Sequence, residues 1–454
     1  MVSRNKRALQ YDGNTSPAAT TNSPELVSPS RVRTEQATEV DHGRLHGKRV
    51  GIVVLSAYPF DPRPRRTAAV LMQHGMSVDY ICVADGKARW HERTNGIDVF
   101  RVPIEHQRGG KLGYAYQYSA FTVVSAAILA ARSLRRRYDL IYINNMPDML
   151  VVSALLPKMF GAKVILDLHD PMPELMMTIF GKNRESRSVQ LLKFLERWSM
   201  ACAHQILTPN IAFKRLFASR SCREEKIEVI MNSPDESIFP FRPACVPAVN
   251  AKSNKPIVVM YHGTLVERNG LDVAVDAFAY LRNKLPAAQL HIYGKSTPFL
   301  ERAMQSARER GLQQSVLYLG EKPLEQIVGA IDVCDAGVVP NPRNAFTDMN
   351  MPTRIFEYLA RGKPVIAPRT AGIRDYFDEH SLLFFEAGDA KDLAQTIQFA
   401  ACYPEEAYTI TQRGQQVYKQ HAWKQESETL VRLVGKLFES HSAASVLSTG
   451  NQNE

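Results

Sequence analysis

Residues that could do chemistry follow several apolar runs of this 454-residue chain. His169 and Asp170 end the run KVILDLHD, which is typical of a buried parallel strand. An imidazole at such a strand end can hydrogen-bond a ligand hydroxyl or stabilise charge that develops during a reaction. A purely structural hydrogen bond between His169 and Asp170 is the alternative, and the residues alone leave both readings open.

Two segments carry arginines that suit a phosphate. In HGTLVERNG, 262–270, Gly263 lets a ligand approach the backbone, and the planar fork of Arg268 matches phosphate oxygens. In SAYPFDPRPRR, 56–66, Arg63 and Arg66 lie near a predicted helix start, where they could meet a phosphate of a donor or an acceptor. An ordinary turn with a solvated arginine is the alternative in both segments.

The segment 341–368 contains a further predicted helix start. Pro352 is a favoured first helical residue, so the amides near Met351 and the Thr353 hydroxyl lie at an N-terminus that attracts anions such as a pyrophosphate. Glu357 follows slightly more than one turn later, where its carboxylate could accept hydrogen bonds from ribose hydroxyls. A surface cap or ion pair is the alternative role of Glu357.

Alternating strands and helices must position these residues. Continuous apolar runs such as RVGIVVLSAY, which begins at Arg49, alternate with helical segments, and the alternation restarts with PIVVMYHG after a proline-rich stretch at 233–256. This pattern predicts an α/β fold with two doubly wound Rossmann-like domains that face a central cleft. Ligands of such sheets bind at the carboxyl ends of the strands, where the candidate residues lie.

The predicted organisation follows from the same alternation and from composition. Along the chain we expect a disordered tail at 1–47, a first domain at 48–240, a linker at 241–256, a second domain at 257–403, C-terminal helices at 404–440 and a disordered tail at 441–454.

Several motifs that mark known classes of enzyme are absent from the sequence. The chain contains no GxGxxG, GxxxxGK[ST], GxSxG or HExxH motif, which disfavours hydride transfer, P-loop nucleotide hydrolysis, serine hydrolysis and metalloproteolysis. It also contains no Asp-x-Asp motif and no zinc-ligand spacing, so we expect no bound metal and no other cofactor.

Charge is distributed unevenly. Residues 48–240 carry 27 basic and 18 acidic side chains, which accounts for nearly all of the net charge of +10. An anionic partner such as a membrane surface is one explanation, with Tyr114–Ala131 as an interfacial helix, and a solvated basic surface or a core helix is the other. We find no secretory signal, no long apolar run and no CxxC pair, so we expect a cytoplasmic protein, at most peripheral at the inner membrane face.

Several ordered motifs resemble the family 4 retaining glycosyltransferases, which have the GT-B fold. MPTRIFEYLARGKPVIAP, 351–368, is similar to their nucleotide-sugar motif, and HGTLVERNG resembles their phosphate-binding loop. The segments 144–174 and 231–239 resemble the subfamily that builds surface polysaccharides, and the likeness covers about 48–438.

The resemblance implies roles for individual residues. Arg268 would bind the donor diphosphate, Thr353 and the amides near Met351 its phosphate oxygens, and Glu357 the ribose. Glu321 would lie in the nucleobase loop, and His169 near the reacting centre. The sequence departs from the family pattern at Met349, where a glutamate is usual, and at Asn269, where a lysine is usual; Asp348 is a candidate substitute for that glutamate.

The resemblance also implies a reaction and partners. The expected activity is transfer of a sugar, with retention and without metal, from a nucleotide diphosphate sugar to an acceptor hydroxyl in a polyprenyl-linked glycan or polysaccharide precursor. The first domain would take the acceptor and the second domain the nucleotide sugar. A sugar-nucleotide epimerase and a non-catalytic nucleotide- or nucleic-acid-binding protein are the alternatives; nucleic acid is disfavoured because no recognised binding motif occurs.

Overall fold

Two β-sheets with flanking helices form the framework of the chain. The computed structural model describes residues 44–86, 89–104, 111–246 and 256–449. Within these residues the first sheet has eight strands and the second has six, and strand β3 is the one antiparallel member. The predicted α/β fold with two Rossmann-like domains is therefore confirmed.

The first sheet is ordered β3-β4-β2-β1-β5-β6-β7-β8. Its strands are β1 (Arg49–Ala57), β2 (Ser77–Val83), β3 (His91–Thr94), β4 (Ile97–Val102), β5 (Leu140–Asn144), β6 (Lys163–Asp167), β7 (Gln205–Thr208) and β8 (Ile227–Val229). The helices of this domain are α1 (Pro62–Gln73), α2 (Lys111–Arg135), α3 (Leu155–Met159), α4 (Met172–Phe180), α5 (Arg187–Cys202) and α6 (Ile211–Arg220). A 3-10 helix, Asp148–Ala154, precedes α3.

The second sheet is ordered β11-β10-β9-β12-β13-β14. Its strands are β9 (Val258–His262), β10 (Gln289–Tyr293), β11 (Val316–Tyr318), β12 (Ala336–Val338), β13 (Val365–Pro368) and β14 (Leu383–Phe385). The helices that follow β9 are α7 (Leu271–Leu281), α8 (Pro298–Glu309), α9 (Leu324–Val333), α10 (Thr353–Ala360), α11 (Ala371–Arg374), α12 (Ala390–Cys402), α13 (Pro404–Gln420) and α14 (Trp423–Thr449).

The apolar runs of the sequence form strands that are buried between layers of helices. The five residues of β9 are all buried, as are those of β5, because helices cover both faces of each sheet. The last helix returns to the first domain, where α14 contacts α1 and the Arg66 guanidinium lies 4.9 Å from the Trp423 ring centroid. The chain therefore crosses twice between the domains.

Helix α2 contains the segment that the sequence left between a membrane-surface helix and a core helix. Phe121, Ser125 and Leu129 on this helix are fully buried, which favours the core helix. Along the described residues no helix is both long and apolar enough to cross a bilayer.

Both predicted tails are shorter in the structure than in the sequence analysis. Residues 44–47 form a turn whose Leu45 side chain is buried, and α14 continues nine residues beyond the expected end at 440. The helix can continue because no proline or glycine occurs from 436 to 449. The remainder of the two tails, 1–43 and 450–454, and most of the linker, 247–255, lie outside the described residues.

A glycine at the start of α7 gives a test of this packing. Gly270 has φ +69°, and a Cβ there would lie 2.0 Å from the Pro340 carbonyl oxygen, whereas Gly388 has φ +88° and open space around it. We expect Gly388→Ala to cost about 1–2 kcal/mol of stability for the left-handed backbone alone. Gly270→Ala should cost about 1–3 kcal/mol more because the backbone must move. Equal shifts of the denaturant midpoint for the two variants would contradict the packing at Gly270.

Candidate functional site

A buried ion pair organises the carboxyl edge of the first sheet. The Arg63 side chain donates from Nε and Nη2 to the two oxygens of Asp167, at 2.9 and 2.8 Å, and from Nη1 to the Ile230 carbonyl oxygen at 2.7 Å. Tyr142 donates its hydroxyl to Asp167 Oδ2 at 2.6 Å. Burial alone would raise the pKa of Asp167, but the Arg63 and His169 side chains outweigh it and hold this pKa far below its usual range.

This pairing corrects the sequence prediction for Arg63. The residue was expected to meet a phosphate, but its guanidinium is buried against Asp167 instead. The reason is geometric, because the first turn of α1 lies directly over the end of β6 and presents Arg63 to the carboxylate. Such a bidentate pair leaves little charge available for a ligand.

The loop that carries His169 and Asp170 is held by Asn145. Asn145 Oδ1 accepts the His169 backbone N–H at 2.8 Å, and Asn145 Nδ2 donates to the Asp170 carbonyl oxygen at 2.8 Å and to Asp148 Oδ1 at 3.0 Å. His169 Nε2 lies 3.4 Å from Asp167 Oδ2 and makes no hydrogen bond within the described residues. Asn145 therefore fixes the backbone at His169, while the buried Nε2 is turned toward the Asp167 carboxylate and the side chain as a whole is 21% exposed.

Asp170 and Arg268 come from different domains and act on each other electrostatically. Burial raises the pKa of the Asp170 carboxyl, and the nearby positive charges of His169 and Arg268 oppose this rise. Arg268 is half-buried and has no hydrogen-bonded or ion-paired partner in the described part of the chain. The structure thus brings three predicted residues, His169, Asp170 and Arg268, to one region between the domains.

In the second domain, β9 and α10 meet through a histidine and a glutamate. His262 Nε2 lies 2.5 Å from Glu357 Oε2, and His262 Nδ1 lies 2.9 Å from the Tyr358 hydroxyl. Arg354 donates from Nη1 to the His262 carbonyl oxygen at 2.8 Å. Glu357 is therefore held in place by a neighbour that we did not predict, and its Oε1 makes no hydrogen bond within the described residues.

Glycines let three neighbouring loops of the second sheet lie side by side. Gly263, at φ +122°, donates its N–H to the Tyr293 carbonyl oxygen at 3.1 Å, and Gly294 donates to the Gly320 carbonyl oxygen at 3.0 Å. A Cβ at Gly294 would lie 2.2 Å from the Gly263 oxygen, so only glycine fits there. Glu321 follows Gly320 and is exposed, which places it at the same edge as Gly263.

Helix α10 begins at Thr353, next to the predicted start at Pro352, which is the N-cap, and Met351 is buried just before it. Pro352 supplies no side-chain cap, so the amides of the first turn remain available as anion donors. Asn232 from the first domain donates its Nδ2 to Thr353 Oγ1 at 3.1 Å. The predicted N-terminus therefore lies against the first domain.

Arg66 approaches this N-terminus from the first domain. Its Nη2 donates to Asn232 Oδ1 at 2.7 Å, while its Nε is buried without a partner in the described residues. Burial, together with repulsion from Arg63, lowers the pKa of Arg66 to about 10, so it stays charged near neutral pH. Unlike Arg63, Arg66 has no carboxylate bonded to it among the described residues and stays a phosphate candidate.

The segment before α10 enters the first domain. Phe346 is buried, with its ring centroid 5.9 Å from that of Phe213, and Met349 packs against the same apolar cluster. Asn344 Oδ1 also accepts from the Thr178 hydroxyl at 3.0 Å. Asp348, the candidate substitute for the usual glutamate, has a buried Oδ1 without a hydrogen bond and lies 3.6 Å from Arg343 Nη1.

Sequence reasoning missed three residues that orient the site, namely His262, Asn145 and Asn232. His262 and Asn145 each lie at the end of a buried strand, which was a usable signal. Asn232 follows β8 but acts on a helix 121 residues away, and no sequence signal identifies such a contact.

Two family models match the chain. The model described as "Glycosyl transferase 4-like domain" matches residues 61–233, and the model "Glycosyl transferases group 1" matches residues 246–417. The two matches follow one another and correspond to the two sheets. They include all the candidate site residues.

One curated protein is similar to this chain in sequence, and two solved structures are similar to it in fold. The Escherichia coli (strain K12) protein "Putative colanic acid biosynthesis glycosyltransferase WcaL" is 27% identical over 198 residues, which are 43% of this chain and 47% of that protein. The alignment thus spans about half the length of that relative.

Among solved structures, sucrose-phosphate synthase from Thermosynechococcus elongatus has a TM-score of 0.71 and 18% identity over 87% of this chain and 100% of that chain. Anabaena HepE in complex with UDP-glucose has a TM-score of 0.61 and 16% identity, over 86% of this chain and 99% of that chain. These structures show the same fold.

Asp148 offers a test of the Asn145 network. Burial, and secondarily repulsion from Glu196, raises the pKa of Asp148 to about 7, so its stabilising contribution is complete below about pH 4 and is lost as pH rises through 7. We expect the free energy of unfolding of Asp148→Asn, relative to that of the wild type, to increase by about 2–3 kcal/mol from pH 5 to pH 8. The measurement is urea unfolding at both pH values, with the exposed Glu185→Gln as control. Parallel pH profiles for wild type and Asp148→Asn would contradict the assignment.

Proposed function

Because this chain belongs to the family 4 glycosyltransferases, with the GT-B fold, we propose that it transfers a sugar from a nucleotide diphosphate sugar to an acceptor hydroxyl. The observation that carries the proposal is that Asn232 joins Arg66 of the first domain to the α10 N-terminus of the second, which gives a positively charged place where a diphosphate fits by charge. The UDP-glucose bound to Anabaena HepE supports this class of donor.

The departing nucleoside diphosphate gains negative charge as the glycosidic bond breaks. Preorganised donors stabilise such charge because they need no reorientation during the reaction. Arg268 lacks a partner among the described residues, and the first amides of α10 have no side-chain cap, so both can serve the leaving group. We propose that these groups neutralise the charge without a metal.

Glu357 suits the ribose of the donor. His262 fixes its Oε2, which leaves Oε1 to accept a hydrogen bond from a ribose hydroxyl. Glu321, exposed beside Gly320, lies at the edge where the nucleobase would reach. A bound nucleotide would then run from Glu321 past Glu357 to the α10 N-terminus.

The first domain would serve the sugar and the acceptor. His169, whose Nε2 is buried beside Asp167 but whose side chain is 21% exposed, can contact the sugar with the exposed part of its ring. Asp170, whose pKa burial raises, lies beside it. Retention of the anomeric configuration rests on the family resemblance, and closure of the domains would exclude water.

A polyprenyl-linked glycan or polysaccharide precursor is the acceptor class that we propose. The name of the Escherichia coli relative, which refers to colanic acid biosynthesis, supports a polysaccharide precursor. A lipid-linked acceptor would be met at the inner face of the membrane, so we propose a cytoplasmic protein that docks there through its basic first domain.

Two alternatives make different predictions. A sugar-nucleotide epimerase would convert the donor without any acceptor, and a non-catalytic module would bind nucleotide without releasing a product. Arg268 favours transfer over nucleic-acid binding, because this half-buried arginine acts electrostatically on Asp170 of the other domain and is not part of an open basic face.

Nucleotide specificity can be tested by thermal shift with UDP, GDP, ADP and TDP. We expect one diphosphate at ~100 times its Kd to stabilise the protein by about 2.7 kcal/mol, a rise in Tm of a few degrees. Glu357→Ala should abolish the shift, while the exposed Glu325→Ala should keep it. If no diphosphate raises the Tm, the proposed donor site is wrong.

Turnover tests the diphosphate contacts separately. We expect Arg268→Ala to lower nucleoside diphosphate release about 100-fold, since it removes a donor to the leaving group. Arg66→Ala should also weaken the binding of the nucleoside diphosphate. The exposed Arg308→Ala on α8 serves as the matched control. Normal release from Arg268→Ala would mean that another group neutralises the diphosphate.

A further inference from the structure

Helix α5 exposes an apolar face that the rest of the described chain does not cover. Leu191, Phe194 and Trp198 are 56%, 61% and 38% exposed, and their spacing places them on one side of the helix. At the end of α4, Ile179 and Phe180 are 50% and 46% exposed. We call these five side chains the α4–α5 surface.

The opposite face of α5 is firmly anchored. Val189, Ser199 and Met200 are fully buried, and the buried Glu196 accepts hydrogen bonds from Arg220, which also pairs with Glu174 at the start of α4. The helix is therefore rigidly attached, and its outward apolar side chains are a fixed feature. Clustered exposed apolar side chains with a polar rim mark interaction sites.

Basic side chains lie on α5 and in the segment that joins it to α4. They are the exposed Lys182, Arg184, Arg187 and Arg197 and the half-buried Lys193. None of the five has a carboxylate partner in the described ranges, and the one exposed acidic residue nearby is Glu185. Glu196 is internal and neutralised by Arg220. An apolar centre with a net positive rim is complementary to a bilayer that presents anionic headgroups.

The position of the surface relates it to the cleft. Helix α4 begins two residues after Asp170, and Thr178, next to Ile179, donates its hydroxyl to Asn344 of the second domain. The surface thus starts at the rim of the cleft between the domains. Helix α2, the segment that the sequence singled out, packs Phe121 and Leu129 into the core and leaves Tyr116 and Val123 exposed on its other face.

We infer that the α4–α5 surface docks this protein on an anionic lipid bilayer, with Leu191, Phe194 and Trp198 inserted at the interface and the five cations on the headgroups. The bilayer would then lie at the mouth of the cleft. The inference assigns a surface to the membrane docking that the proposed function includes and rests on it to that extent, but it does not depend on sugar transfer, because docking requires no donor.

Vesicle co-sedimentation of the full chain tests the inference. We expect binding to phosphatidylcholine vesicles that contain phosphatidylglycerol, little binding to phosphatidylcholine alone, and weaker binding as salt increases. Phe194→Ser should weaken binding about 10-fold. The triple variant Lys182→Ala, Arg184→Ala, Arg187→Ala should weaken it about 100-fold. The emission of Trp198 should shift to shorter wavelength on anionic vesicles, and Trp198→Phe should lose that shift.

Matched changes on the second domain serve as controls. Tyr280, 55% exposed, and the exposed cations Lys284, Arg308 and Lys391 should tolerate the same substitutions without effect on vesicle binding. The diphosphate-induced thermal shift should be unchanged in all these variants, which separates docking from the donor site. Equal vesicle binding by wild type and variants, or no binding, would overturn the inference. A smaller mass by light scattering for Phe194→Ser would overturn it too, because the surface would then join two copies.

Discussion

The ion pair between Arg63 and Asp167 is the interaction on which the site depends. It joins the first turn of α1, the end of β6 and, through the Ile230 carbonyl, the end of β8. Both side chains are almost fully buried, so removing one partner would leave an unpaired charge at a cost of about 3–5 kcal/mol. Because α1 is held in this way, Arg66, one turn later, reaches Asn232 and the start of α10. The same carboxylate fixes the strand end from which His169 and Asp170 extend.

The second domain is preorganised by different means. Close glycine turns bring the loops after β9, β10 and β11 side by side, and His262 holds Glu357 before any ligand arrives. Groups that are already oriented stabilise developing charge without a reorganisation cost. Phe346 and Met349 attach the segment before α10 to the first domain, so the two halves of the site share an apolar contact.

Local patterns in the sequence predicted the strands, the two-domain fold and the start of α10 near Pro352, because buried runs and a helix-starting proline are local signals. The role of Arg63 was wrong because its partner lies 104 residues away, and the His262–Glu357 contact was missed because it spans 95 residues. Composition could not distinguish a core helix from an interfacial helix in α2, since both are apolar; the structure shows that one face of α2 lies in the core. The roles of Arg268, Glu357 and His169 stay predictions from the sequence.

The decisive measurement is a crystal structure of the protein with the nucleoside diphosphate that stabilises it. We expect diphosphate oxygens within hydrogen-bonding distance of the Arg268 guanidinium and of the first backbone amides of α10, and a ribose hydroxyl on Glu357 Oε1. A diphosphate bound elsewhere, or one that contacts neither Arg268 nor the α10 N-terminus, would contradict it.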